Sequence, residues 1–343
     1  MLRVDAAGGD GGGLDRRGSA HGATVSYPWE DPSAPEHVRN RQTVWHLTGP
    51  AIRTDLPKRR PPVELPRALQ GLSYGAVVMT HRGHTNGRLS ILLSSLPANL
   101  PVLVSSDSIT TGEMDLDWEV AEYHGADFSH HAPWDGRAGH SIQCMEVTSW
   151  DYTLFLMDDV FLQQDVTVEA LRWAYIMRTA GIPLACLAIP GWELYHHHKD
   201  FGFSSWQDSL DHPERLDSCA SNPSFLRAPC LYRNPFGACM LIMRDAYKDV
   251  GGFPREYWAN DDCLNHKTWL SGKWVNAAMP GRGYLHYGAQ SNHFGETAEY
   301  IGSFKAATGM TAEESGEKQA KMQFQWKALL HDKFMALGGT DSV

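Results

Sequence analysis

The chain has 343 residues, 42% of them hydrophobic, which is enough apolar material for a sizeable core. Its formal net charge of −10 excludes a broad nucleic-acid-binding or anionic-membrane-binding face, since both need a basic surface. No run of roughly 18 uncharged apolar residues occurs, and the N-terminus MLRVDAAGGDGGGLDRRGSAHG lacks the apolar stretch of a secretory signal, so no transmembrane segment and a cytoplasmic address are expected.

In chain order, residues 1–22 are Gly-rich and polar and are expected to be disordered, because they bury too little apolar surface to offset the entropy of ordering. Residues 23–73 carry scattered apolar groups and the stretch LPKRRPPVELP, read as an N-terminal extension or linker with Lys58, Arg59 and Arg60 as a solvated basic cluster. From residue 74 short apolar runs alternate with amphipathic segments, the pattern of an α/β layer fold. AVVM (76–79) predicts a buried strand, and RLSILLSSL a helix from the spacing of Leu89, Leu92, Leu93 and Leu96. PVLVSS (101–106), YTLFLM (152–157) and PLACLAI (183–189) predict three more strands. VTVEALRWAYIMRTAG, ended by Gly181, predicts a helix between the last two.

Residues 193–235 have little periodicity and many aromatic and histidine residues, and read as a long functional loop. FGACMLIMRDAYKDVGGF then predicts a strand, a short helix and a turn. Residues 301–343 read as a helical tail, opened by Thr311 and Glu314 at capping-box spacing. The cysteines Cys144, Cys186, Cys219, Cys230, Cys239 and Cys263 show no CxxC spacing, so neither a disulfide framework nor a zinc site is indicated.

Candidate chemistry gathers where strands end, because ligands of open α/β sheets sit beyond the carboxyl ends of the strands. Asp107 and the pair Asp158, Asp159 stand at such ends. Adjacent carboxylates there have two readings: a solvated turn with an Asp cap, or a site for a hard divalent cation. In YWANDDCLNHKTWLSG, Asp261 and Asp262 follow a Gly-Gly-Phe turn, precede a helix and, taken alone, read as N-caps. His286, in GYLHYGAQS, reads as a structural histidine or a ligand.

The ordered series VVMTHRG, SSDSITT, GRAGHSIQC, YTLFLMDDV, FGACMLIMRDAYKDVGGF, NDDCLNHK and LHYGAQS resembles the family 2 inverting glycosyltransferases of the GT-A fold, over about residues 74–292. The resemblance implies a Rossmann-like nucleotide-binding half fused to an acceptor-binding half in one mixed-sheet domain, here 74–300. It implies a metal-dependent transfer of a sugar from a nucleotide-sugar donor, UDP-linked in the first instance, to an acceptor hydroxyl, with Mn²⁺ or Mg²⁺ as cofactor. Residue by residue, Thr80, His81 and Arg82 match the donor-nucleotide turn, Asp107 the acid that receives the base, and Arg137 a diphosphate contact. Asp159 matches the metal ligand and Asp158 its donor-ribose or water-mediated partner, with Val160 where the family's Asp-X-Asp places a second acid. Asp261 matches the catalytic base, with Asn260 and Cys263 replacing two acids of the family's segment, and His286 a histidine that completes metal binding in some relatives. For the acceptor, a glycan or another hydroxyl-bearing molecule, Trp192, Tyr195, Trp258 and Asp262 are the candidate contacts, since aromatic rings stack on sugar faces. The competing readings are a sugar-nucleotide nucleotidyltransferase, against which THRGHTNG lacks a Gly-rich basic loop, and a non-catalytic sugar-nucleotide-binding protein. A metal-dependent hydrolase has only HHHKD (196–200) in its favour.

Overall fold

The computed structural model describes residues 2–5, 50–81, 83, 87–107, 111–131, 136–194, 198–218, 229–232, 235, 237–254, 260–287, 311, 314 and 317. Its centre is a mixed nine-stranded sheet. The strands are β1 (Leu2–Asp5), β2 (Tyr74–Thr80), β3 (Val102–Ser106), β4 (Phe128–His131), β5 (Tyr152–Met157), β7 (Leu184–Ala188), β9 (Cys230–Leu231), β10 (Cys239–Met243) and β11 (Val275–Ala278), in the order β1-β4-β3-β2-β5-β10-β7-β11-β9. The run β1-β4-β3-β2-β5 is parallel throughout. β10 is antiparallel to both neighbours, and so changes the sheet from its parallel half to its mixed half. A second, three-stranded sheet joins β6 (Val160–Leu162), β12 (Tyr284–His286) and β8 (Gly191–Glu193). This is the α/β fold class expected from the alternation of strands and helices.

The central strands are buried along almost their whole length, which is why they read as continuous apolar runs rather than alternating ones. Helices cover them: α1 (Arg88–Ser94), α2 (Thr111–Tyr123), α3 (Gly136–Glu146), α4 (Val166–Thr179), α5 (Trp206–Asp211), α6 (Arg244–Asp249) and α7 (Asn260–Leu270). α1 is buried on all sides, and α4 buries the stripe Val166, Ala170, Ala174 and Met177 against the same core as β5 and β7. The small sheet has its own core, in which Ile91, Phe161, Trp192, Leu194, Phe203, Leu216, Leu285 and Tyr287 pack together.

Three expectations change. Leu2–Asp5, inside the stretch expected to be disordered, pairs in parallel with β4, whose open edge offers it main-chain partners. The basic cluster is not solvated as a whole: Arg59 donates to the carbonyls of Leu96, Pro97 and Leu100, and Arg60 to Leu162 O at 2.8 Å and to Asp217 at 2.8 and 2.9 Å. The strap's backbone reaches Leu96 O through Arg60 N–H at 2.9 Å, and its long guanidinium groups reach further carbonyls of the turn. Lys58 alone stays exposed, its ammonium 4.7 Å from the Tyr123 ring. The third concerns the 193–235 segment, whose short elements the periodicity leaves unplaced: it contains α5, capped by Ser205, two 3₁₀ turns (His198–Phe201 and Pro213–Ser218) and β9. Their few apolar anchors, Phe203 and Leu216, enter the second core without producing a period. At the tail, Thr311 and Glu314 form the expected reciprocal cap, at 2.7 and 3.1 Å; the rest of 301–343, Glu317 aside, lies outside the described residues.

Candidate active site

The carboxyl ends of the parallel strands β2, β3 and β5 bring Thr80, His81, Asp107 and Asp158 together. Thr80 Oγ1 donates to Asp158 Oδ2 at 2.7 Å, and the same oxygen lies 3.6 Å from Arg88 Nη2. Arg88 opens α1 and also donates to the carbonyl of His81, at 3.3 Å. Gly83 closes over this group. A Cβ there would stand 2.1 Å from Thr80 Oγ1 and 2.8 Å from Asp158 Oδ2, so the close approach requires glycine. Burial pushes the Asp158 carboxyl up to about 6; Arg88 opposes that rise, and Asp159 adds to it.

At the next strand end, Asp107 is held between two imidazoles. His81 Nδ1 lies 2.8 Å from Oδ1, and His140 Nδ1, from the second turn of α3, lies 3.1 Å from Oδ2. His140 Nε2 meets Ser105 Oγ at 2.9 Å. Burial works against both charges, but the pairing outweighs it: Asp107 is held well below the usual carboxylate range by His140 and His81, and His140 is raised well above the usual histidine value by Asp107. Asp107 and His140 therefore form a buried ion pair at neutral pH.

Asp158 and Asp159 occupy the turn between β5 and β6, and they diverge. Asp159, fully buried, faces His286, whose Nε2 is 3.2 Å from Asp159 Oδ2. The antiparallel ladder of β6 and β12 sets this contact: His286 pairs with Val160, and Tyr287 N–H donates to Asp159 O at 2.8 Å. Val160, where a second acid was absent from the sequence, is a core residue. Among the described residues no group of three or more metal-ligating side chains occurs. The Asp159 carboxylate oxygen suits Mn²⁺ or Mg²⁺ when substrate phosphates and water fill the remaining positions, whereas the His286 imidazole nitrogen is a poor partner for Mg²⁺, which takes oxygen ligands.

Asp261, in the first turn of α7, accepts a hydrogen bond from Gly237 N–H at 2.9 Å, and the Gly237 backbone lies so close that a Cβ would be 2.5 Å from the carboxylate. Ala238 O in turn receives Met157 N–H at 2.9 Å, so the 237–238 segment that the Asp261 carboxylate touches runs beside the end of β5. Asp261 therefore reaches the same end of the sheet as the other acids. Trp192 does not present a ring to this cleft: it packs into the second core, 6.0 Å from Phe201 in an edge-on arrangement. Arg82, Tyr195 and Trp258 lie outside the described residues, as do the side chains of Arg137 in α3 and Asp262 in α7.

Sequence reasoning missed Arg88 and His140. Both are visible in the chain, as an Arg at the start of an otherwise apolar helix and a His inside GRAGHSIQC.

No protein-family model matches the chain, and no curated protein matches it. Among solved structures it is similar to a mannosyltransferase from Pyrobaculum calidifontis in complex with GDP-Man and Mn²⁺, at 12% identity over 86% of this chain and 81% of that one, with a TM-score of 0.43. It is also similar to the 1–349 portion of S. aureus TarS in complex with UDP-GlcNAc (11% identity, 77% and 75% covered, TM-score 0.44) and to GalNAc-T7 with UDP, GalNAc and Mn²⁺ (12% identity, 75% and 51% covered, TM-score 0.45).

Proposed function

We propose that this chain is a GT-A-type, inverting glycosyltransferase that moves a sugar from a nucleotide-sugar donor to an acceptor hydroxyl. The observation that carries the reading is the meeting of Thr80, Asp107, Asp158, Asp159, His286 and Asp261 at one end of the sheet, from segments scattered over the chain.

In this reading the donor nucleotide lies across the ends of β2 and β3, over Thr80 and the His81–Asp107 pair, with Arg82 and Arg137 as further donor contacts. Asp159 and His286 hold a divalent cation that when bound neutralises charge on the diphosphate, Mn²⁺ more readily than Mg²⁺ because of the imidazole. Arg88 and Thr80 fix Asp158 beside it. Asp261 takes the proton of the acceptor hydroxyl as that oxygen bonds to the anomeric carbon. The bond from that carbon to the diphosphate breaks with it, and the nucleoside diphosphate leaves with the electron pair, so the sugar is inverted. A correctly placed base of this kind contributes about 10²–10⁴-fold.

The test is a panel of UDP-, GDP- and dTDP-sugars with Mn²⁺ or Mg²⁺, with and without a glycan acceptor, read by nucleotide release and by proton NMR of the anomeric configuration. Acceptor-dependent release of nucleoside diphosphate with inversion is expected. Pyrophosphate formation would move the chain to the nucleotidyltransferases, acceptor-independent release to the hydrolases, and donor binding without release to the non-catalytic binders.

A further inference from the structure

We propose, resting on the glycosyltransferase reading above, that Asp107 and His140 are positioning residues that fix the His81 ring as its Nδ1–H tautomer at the edge of the donor site. His81, and not Asp107, then makes the side-chain contact with the donor nucleotide.

A carboxylate at the end of the second strand suits a base N–H only if it has an oxygen to offer. Asp107 has both oxygens engaged, Oδ1 by His81 at 2.8 Å and Oδ2 by His140 at 3.1 Å. Its side chain is 4% exposed, against 16% for His81, so the imidazole is the outer member of the pair. A nitrogen 2.8 Å from an ionised carboxylate carries the proton between them, which makes Nδ1 of His81 the donor and sets the ring's tautomer.

His140 completes the arrangement from behind. A buried carboxylate needs a counter-charge, and the His140 ring supplies it from α3 while its other nitrogen meets Ser105 on β3 itself. Asp107 N–H donates to Thr80 O at 3.2 Å, which joins the backbone ends of β2 and β3. To receive a nucleobase directly, the acid would have to give up one of its two imidazoles and leave that charge arrangement broken.

Two measurements on the full chain test the assignment. In ¹⁵N-histidine NMR without ligand, His81 should appear as the Nδ1–H tautomer and His140 as a doubly protonated ring, assigned through His81→Ala and His140→Gln. In calorimetry with UDP and GDP in the presence of Mn²⁺, Asp107→Asn should weaken the nucleotide that binds by about tenfold. The same change should add nothing in the His81→Ala background. An equal loss in both backgrounds overturns the proposal, because Asp107 would then be touching the nucleotide itself, and so does an Nε2–H tautomer at His81 in the unmodified protein. If neither nucleotide binds, the glycosyltransferase reading fails, and the tautomer signal still supports or overturns the positioning of His81 without any folded Asp107 variant.

Discussion

Asp158 and Asp159 are adjacent in the chain, but their surroundings separate their roles. Asp158 turns to Thr80 and Arg88, and its folded-state pKa of about 6 lies above the ordinary 3.8 because burial disfavours its charge. The folded protein thus binds this proton more tightly than the unfolded chain does. Its contribution to stability is full below about pH 4 and falls as pH rises through about 6. Asp158→Asn removes that penalty while keeping an acceptor for Thr80. In cation-free buffer at pH 7 it should raise stability by about 1–3 kcal/mol, with almost no change at pH 4, as read from urea unfolding at the two pH values. A lower stability than wild type at pH 7 would mean that Arg88 outweighs burial. Asp159 has the opposite expectation. Its contact is with His286, so Asp159→Ala should abolish Mn²⁺-dependent nucleotide binding in calorimetry, and unchanged binding would remove it as a ligand. Asp261→Asn keeps the acceptor for Gly237 N–H but not the basicity. Transfer should fall by about 10²–10⁴-fold with nucleotide binding intact, in single-turnover assays.

Elements differ in how much of themselves they announce. β5 occurs where YTLFLM predicts it, and α1 and α4 follow their apolar spacing, because each buries enough consecutive residues to leave a pattern. β6, β8 and β12 have three residues each, too few for any period, and they find one another only in the folded chain. The DD pair was therefore legible as two carboxylates at a strand end, but its contact with His286 was not, since the ladder that joins them is non-local. Two glycines make that small sheet feasible. A Cβ at Gly191 would lie 2.2 Å from the Tyr284 ring, and one at Gly283 would lie 1.7 Å from the Pro190 carbonyl oxygen. The second obstacle is backbone and cannot swing aside. Gly283→Ala should destabilise the fold by about 1–3 kcal/mol or more, as for other overpacked sites. It should also weaken Mn²⁺-dependent nucleotide binding, since β12 carries His286. A variant that unfolds at the wild-type midpoint and binds normally would show that the small sheet does not set the Asp159–His286 contact.

For the molecule as a whole, the alternation of strands and helices gave the fold class, but the antiparallel insertion of β10 beside β5 could not be read from periodicity, since a buried strand looks alike in either direction. The strap over 50–66 likewise reads by composition, as an extension packed on a domain or a linker into it, and what its basic cluster does depends on what it meets. It runs beside the turn that ends α1, where Arg60 N–H and Ala98 N–H make backbone bonds to Leu96 and Arg60, and Arg60 then reaches Asp217 on the far side. Arg59 is the tighter clasp. Its guanidinium meets the carbonyls of Leu96, Pro97 and Leu100, and burial lowers its pKa to about 10, which leaves it charged at neutral pH. Hydrogen bonds from a charged donor are worth about 1.5–3 kcal/mol, and of the carbonyls left behind Leu96 O keeps the Arg60 N–H and Pro97 O the Leu100 N–H. Arg59→Met, similar in length and unable to donate, should therefore lower stability by about 2–3 kcal/mol in urea unfolding. Arg59→Lys should recover less than half of the loss, because a single ammonium cannot span three carbonyls as the planar fork does. Full recovery by lysine would reduce the clasp to charge alone, and no loss with methionine would return the strap to the solvated linker that its composition suggests.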